Sequence, residues 1–182
     1  MKPRKQMIRN GWLGLVALAF CGLASPAAPA QFGGFFGGPK IETISTDQLQ
    51  ALLKKQQQAV ASAKASGGEA PPANFVLVDV RSDAEVNVSI IPGAITKKQY
   101  EANRQDYQGR TVIPYCTVGG RSGAYAKQLV AKGVTVKNYK GSILKWIDAE
   151  LPLVTLDGKP TNRVHTYSDR YKIPSKYEQV TQ

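Results

Sequence analysis

Hydrophobic and polar positions follow two periods along this chain, and their order predicts its elements. Phe75-Val76-Leu77-Val78-Asp79-Val80 is nearly all apolar, the pattern of a central parallel strand covered on both faces. Val112-Ile113-Pro114-Tyr115 is short enough for a second buried strand over 110–115, with Pro114 predicting a bulge because proline donates no ladder hydrogen bond. Ile41-Glu42-Thr43-Ile44 alternates as a short strand, and Val134-Thr135-Val136 predicts another that ends near Asn138 and Tyr139. Between them the period changes. Ser45 with Gln48 forms a capping box ahead of Leu49, Leu52 and Leu53, and the helix continues through 56–64. Gly67-Gly68 and Pro71-Pro72 end it in an exposed loop over 65–73. A helical turn or two is predicted over 82–88, a bend at Pro92-Gly93 and a helix within 97–109. A helix over 122–132 stops at Gly133. Ser142 caps a last helix, to about residue 150, that turns Ile143, Trp146 and Ile147 inward; Pro152 forbids its continuation. This order argues an α/β fold, an open and mainly parallel sheet of about five strands flanked by helices on both faces. Residues 155–182 are polar and predict an extended tail packed on the domain, with His165 a surface or docking residue.

Composition changes the picture at the N-terminus. The chain has 182 residues, enough for one domain with a core. Its formal charge is +11, of which residues 1–30 carry +4 with no acid and the remainder carries +7. Residues 1–30 read as a signal peptide: basic residues up to Arg9, an apolar run over 11–24, then Ala28-Pro29-Ala30 for cleavage before Gln31. The expectation is an exported protein, periplasmic or secreted. A permanent membrane anchor is disfavoured because the apolar run falls short of about 20 residues. Lipidation of Cys21 is disfavoured by the bulky Phe20 before it. Residues 31–40, rich in glycine and phenylalanine, read as a linker, and the domain as 41–154. The remaining charge is scattered, so no basic stripe predicts nucleic acid as a partner; attraction to small anions is the milder expectation. Cleavage leaves Cys116 without a disulfide partner, and His165 is the only histidine, so neither a metal site nor a cofactor is expected.

The chemistry concentrates after the 110–115 strand. Cys116 stands at the strand's C-terminal end, followed by Thr117, Val118, Gly119, Gly120, Arg121 and Ser122 where a helix begins. Glycines allow the loop to curl so that backbone N–H groups converge on one point. The helix N-terminus adds its own donors and partial positive charge. A sulfur at that point is stabilised as the thiolate, and Arg121 offers a fork of donors suited to oxyanions. The predicted product is an anion-binding pocket with a nucleophilic sulfur at its floor.

At these residues a family resemblance emerges. Cys116-x-x-Gly119-x-Arg121-Ser122 resembles the active-site loop of the rhodanese family, the sulfurtransferases. Val78-Asp79-Val80-Arg81, Glu85 and Ile91-Pro92-Gly93-Ala94-Ile95 resemble the family segment upstream of the cysteine. Tyr139-Lys140-Gly141-Ser142-Ile143, Trp146 and Leu151-Pro152-Leu153 resemble the one downstream. The likeness covers about 41–154. Ser89 and Ile90 depart from it where a histidine often precedes the Ile-Pro-Gly-Ala segment. The resemblance implies a rhodanese-like fold and a sulfurtransferase in which Asp79 and Arg81 support the loop. From the residues alone, Asp79 caps neighbouring N–H groups and Arg81 pairs with Asp83 or Glu85.

Cys116 is then expected to take a sulfane sulfur from a donor such as thiosulfate and pass it, as a persulfide, to cyanide or a thiol. A protein sulfur donor or acceptor, and a non-enzymatic carrier or binding module, are the alternatives. Cysteine phosphatases use a related cradle, but with five residues between cysteine and arginine and usually a histidine before the cysteine. Here four intervene, and Tyr115 precedes.

Overall fold

A computed structural model of the protein describes residues 40–181. The signal-peptide reading of 1–30 and the linker, apart from Lys40, lie outside the described residues. Among the described residues, two parallel ladders, one of three strands and one of two, are joined by a bridge from Val112 to Val136 into the order Ala94–Thr96 (β3), Phe75–Asp79 (β2), Thr111–Tyr115 (β4), Lys137–Asn138 (β5) and Glu42–Thr43 (β1). β2 (Phe75–Asp79) lies between β3 (Ala94–Thr96) and β4 (Thr111–Tyr115), with Leu77 opposite both Ala94 and Ile113. β5 (Lys137–Asn138) pairs in parallel with β1 (Glu42–Thr43).

The join between β4 and β5 explains where prediction and structure part. Pro114 sits in continuous register opposite Val78, with no bulge. Val112 sends its N–H to the Thr135 carbonyl at 2.9 Å, on the β5 side. Residue 114 faces the same way but, as proline, has no N–H to send. The ladder there is reduced to the Val112–Val136 bridge and the Tyr139 N–H to the Pro114 carbonyl, 3.0 Å. The strand predicted at 134–136 is accordingly recorded at Lys137–Asn138.

Helices cover both faces, as the apolar β2 requires. Phe75 and Leu77 pack on one side with Leu49 and Leu53 of α1 (Thr46–Ala65) and with Ile143, Trp146 and Ile147 of α5 (Ser142–Asp148). Val76 and Val78 pack on the other with Tyr100 of α3 (Lys97–Ala102) and Tyr125, Ala126 and Leu129 of α4 (Gly120–Ala131). Each such apolar side chain removed from water is worth about 1.5–3 kcal/mol. The Ser45–Gln48 capping box starts α1 as predicted. The 82–88 stretch yields one short helix, α2 (Asp83–Val86), and 97–109 divides into α3 and a 3-10 turn at Arg104–Tyr107. Trp146 is core and donates its indole N–H to the Pro152 carbonyl, 2.8 Å.

The segment after 152 has more structure than an extended tail. β6 (Leu153–Val154) and β7 (Pro160–Thr161) form an antiparallel hairpin, and Val154 also bridges to Ile90. β8 (Arg163–His165) and β9 (Glu178–Val180) pair in parallel. Among the described residues, no helix is long and apolar enough to cross a membrane.

Candidate active site

β4 delivers Cys116 to the carboxyl end of the sheet, and the next residues turn tightly into α4. The turn depends on Gly119, the residue before the helix, whose φ is +95°. A Cβ there would also collide with the Lys140 carbonyl oxygen, so the position excludes other residues on two counts. The turn lets the Gly119 N–H donate to Cys116 Sγ at 3.1 Å. Burial disfavours the thiolate, but donors from Ser122, Gly119 and Val118 outweigh it and hold the thiol below its ordinary value.

The loop backbone is also held from the far side. The N–H groups of Ile143 and Leu144, in the first turn of α5, donate to the carbonyls of Cys116 (3.0 Å) and Thr117 (3.3 Å). Ser142 does not cap α5 with its side chain as predicted; Gly141 occupies the cap position. Instead the Ser142 hydroxyl accepts the Cys116 N–H at 3.1 Å and donates to the Tyr139 carbonyl at 3.0 Å. This geometry holds Ser142 at φ +57°, a left-handed conformation.

Arg121 is placed differently from the oxyanion fork read in the sequence. Its Nη1 and Nη2 donate to Glu85 Oε2 and Oε1 at 2.6 and 2.7 Å, and Nη2 also reaches Thr117 Oγ1 at 2.7 Å. Glu85 further accepts from the Thr117 hydroxyl and from the N–H and hydroxyl of Ser82. Burial opposes its charge, but these donors win and hold the carboxyl at about 2. Thr117 and Arg121 thus fasten the cysteine loop to α2. Val118 is half exposed and Gly120 opens the helix; both line the cavity over the sulfur, while Ser122 is buried beneath it.

Asp79 and Arg81 stand behind the loop. They pair with each other, Arg81 Nη2 to Asp79 Oδ2 at 2.7 Å, both side chains fully buried. Arg81 therefore pairs with neither Asp83 nor Glu85. Asp79 also accepts the Arg81 N–H, the capping role expected of it. The guanidinium donates to the carbonyls of Ser89 and His165, tying β2 to the connection before β3 and to β8. His165 is buried, and its Nδ1 accepts the Tyr167 N–H at 3.0 Å.

The cavity above Cys116 measures about 300 Å³ and is lined by Thr117, Val118, Gly120, Arg121 and, from the C-terminal segment, Tyr167, Arg170 and Tyr171. Those last three residues, with Glu85 as the partner of Arg121 and Ser142 as the partner of Cys116, are what sequence reasoning missed. Glu85 carried a signal in its spacing to Ser82, a capping box that the structure forms. Among the described residues, no group of three or more His, Cys, Asp or Glu side chains could hold a metal ion.

A family model for the rhodanese-like domain matches residues 47–149, more than half of the chain. The chain belongs to the rhodanese-like domain family, and its α/β architecture is that family's fold. It is 31% identical over 75 residues to the tRNA sulfurtransferase of Desulfurococcus amylolyticus, a match covering 41% of this chain and only 15% of that protein. It is 30% identical over 89 residues to a sulfurtransferase of Allochromatium vinosum, covering 47% of this chain and 83% of the relative. Among solved structures, the thiosulfate sulfurtransferase of Pseudomonas aeruginosa is similar with a TM-score of 0.48 at 19% identity, over 68% of this chain and 21% of that one. The rhodanese-like domain and the two sulfurtransferase relatives together support a sulfurtransferase family. The match ends before β6, so the segment that supplies Tyr167, Arg170 and Tyr171 lies beyond it.

Proposed function

We propose that the protein is a sulfurtransferase that works through a persulfide on Cys116. The observation that carries this reading is the set of N–H donors from Val118, Gly119 and Ser122 that favours the Cys116 thiolate. The thiolate attacks the outer sulfur of a donor such as thiosulfate. A bond forms between Sγ and that sulfur, the donor's S–S bond breaks, and sulfite leaves with the electron pair. The terminal persulfide sulfur then sits in the cradle. Cyanide carbon or a thiolate attacks it, takes it away, and returns Cys116 to the thiolate. Two half-reactions through one covalent intermediate give ping-pong kinetics, seen as parallel initial-rate lines.

Phosphate ester cleavage is less well served. Among the described residues, no carboxylic acid lines the cavity above Cys116 to protonate a leaving alkoxide, and four residues rather than five separate Cys116 from Arg121. Export to the periplasm or exterior is part of the proposal and rests on the pattern of residues 1–30. The proposed partners follow from the Cys116 loop, the scattered charge and the short apolar run of the chain: a small sulfur donor with a thiol or cyanide acceptor, a protein donor or acceptor as the variant reading, and neither nucleic acid nor a permanent membrane anchor.

Intact mass tests the reading. Incubation with thiosulfate adds one sulfur, about 32 Da, which cyanide removes and Cys116→Ser abolishes. No gain in mass, with hydrolysis of an aryl phosphate instead, would replace sulfur transfer by phosphatase chemistry. Loading without turnover would make the domain a sulfur carrier.

A further inference from the structure

Among the described residues, two arginines stand in the wall of the cavity over Cys116, and one of them is open to a ligand's charge. Arg121 faces both oxygens of Glu85, and a bidentate carboxylate–guanidinium pair is close to neutral as seen from the cavity. A thiolate at the floor then makes the site repel an anion unless another cation stands nearby. Among the described residues, Arg170 is the cavity-lining cation with no carboxylate partner.

Its position is built. The Arg170 Nη2 donates to the Tyr171 hydroxyl at 3.0 Å, and the guanidinium lies 5.1 Å from that ring's centroid. Tyr167, in the same loop, places its ring 5.7 Å from the Arg121 guanidinium. Tyr167 has φ +67°, unusual for a residue other than glycine, and its N–H is held by His165 Nδ1. One amide organises the whole loop. Gln179 Nε2, projecting from β9, faces the Thr166 hydroxyl (2.7 Å) and the carbonyls of Ser168 (3.1 Å) and Tyr171 (3.0 Å). Such a set of contacts fixes the backbone from 166 to 171 and prepositions Arg170 before any ligand arrives.

Past Val118 and Tyr171 the cavity continues into a depression of about 520 Å³ with Lys140 and Lys172 at its edge. Lys145 in the same lining is paired with Asp148, so Lys140 and Lys172 are the charges that add to Arg170 on this side.

We propose that Arg170 recognises the negative charge of the small anionic sulfur donor, and that Gln179 is the positioning residue that holds it there. That the ligand is a sulfur donor rests on the sulfur-transfer reading; that it is a small anion does not.

The test separates the two. Thiosulfate is titrated calorimetrically, at fixed ionic strength, into the full chain carrying Cys116→Ser, which binds but does not react. Adding Arg170→Gln is expected to weaken binding at least tenfold, the loss of a charge-assisted hydrogen bond. Adding Arg121→Gln is expected to weaken it less. In the protein with Cys116 intact, Gln179→Leu raises the KM for thiosulfate severalfold at nearly constant kcat, which a general loss of structure would not do. The proposal is overturned if the Cys116→Ser protein binds no thiosulfate, if Arg170→Gln leaves the affinity unchanged, or if Arg121→Gln alone removes it. Binding that depends on Arg170 without any gain of sulfur by Cys116 would sustain the anion site and sink sulfur transfer. Sulfur gain with binding indifferent to Arg170 would do the reverse.

Discussion

Arg121 and Glu85 meet end to end, with both terminal guanidinium nitrogens on both carboxylate oxygens at 2.6 and 2.7 Å. Glu85 is 1% exposed and the Arg121 side chain 42%. The pair joins the first turn of α4 to α2, so the cysteine loop is fastened at its C-terminal end by this pair and at its start by β4. The arginine serves the shape of the loop first.

Removing the acid should therefore loosen the loop. Glu85→Gln leaves the Arg121, Thr117 and Ser82 donors facing a neutral amide, at a cost of about 2 kcal/mol in urea unfolding. The acid also sets a pH dependence. Its folded value of about 2 lies below the ordinary 4.5, so its stabilisation is complete above about pH 4.5 and is lost as pH falls towards 2. The Glu85→Gln protein should lack that part of the acid limb. An identical acid limb in both proteins would refute the assignment.

The thiol of Cys116 should titrate below its ordinary value of 9.0. Alkylation by iodoacetamide, followed against pH, should reach half its plateau below that value, since the thiolate is the reacting form. Ser122→Ala removes a side-chain donor and should move the midpoint upward. A wild-type midpoint at or above 9.0 would contradict the donor set described.

Two adjacent glycines should behave oppositely. Gly119→Ala meets both a positive φ and the Lys140 carbonyl, and should cost at least about 2 kcal/mol along with the fast alkylation of Cys116. Gly120→Ala has open space around its new methyl and lies at the start of a helix, so its stability should change by less than about 0.5 kcal/mol. Equal losses at the two positions would show that the turn, not the contact or the dihedral, is intolerant.

Ser142 offers a finer comparison. Ser142→Ala leaves the buried Cys116 N–H without its acceptor, a loss of about 1–3 kcal/mol. Ser142→Gly removes the same acceptor but relieves the φ of +57°. The glycine variant should be the more stable of the two in thermal unfolding. The opposite order would mean that the dihedral carries no strain.

Much of this was legible in the chain because local and global signals agree. The apolar 75–80 run, the Ser45–Gln48 box and the Cys116–Ser122 loop each needed only a few neighbouring residues to be recognised. The helices on both faces followed from the alternation of Phe75 and Leu77 against Val76 and Val78. Partnerships between distant residues were not legible. Glu85 and Arg121 are 36 residues apart, and Arg81 had three nearby acids to choose from, of which Asp79 won by lying on the same buried strand end. Ser142 read as a helix cap because serine at that position usually is one; here the N–H it satisfies belongs to Cys116, 26 residues earlier. The C-terminal segment has no period to read. Its tyrosines and arginines acquire meaning only from where Gln179 holds them.

That segment owes its position to the direction of two short strands. β8 and β9 run parallel, with Arg163 opposite Glu178 and His165 opposite Val180. Parallel neighbours need a connection that travels back the length of the pair, and residues 166–177 are that return path. An antiparallel pair could have been closed by a tight turn, with nothing passing over Cys116. Trimming this connection would force β9 to reverse or detach, so the chain direction itself guards the roof of the cavity against the small deletions that surface loops ordinarily absorb.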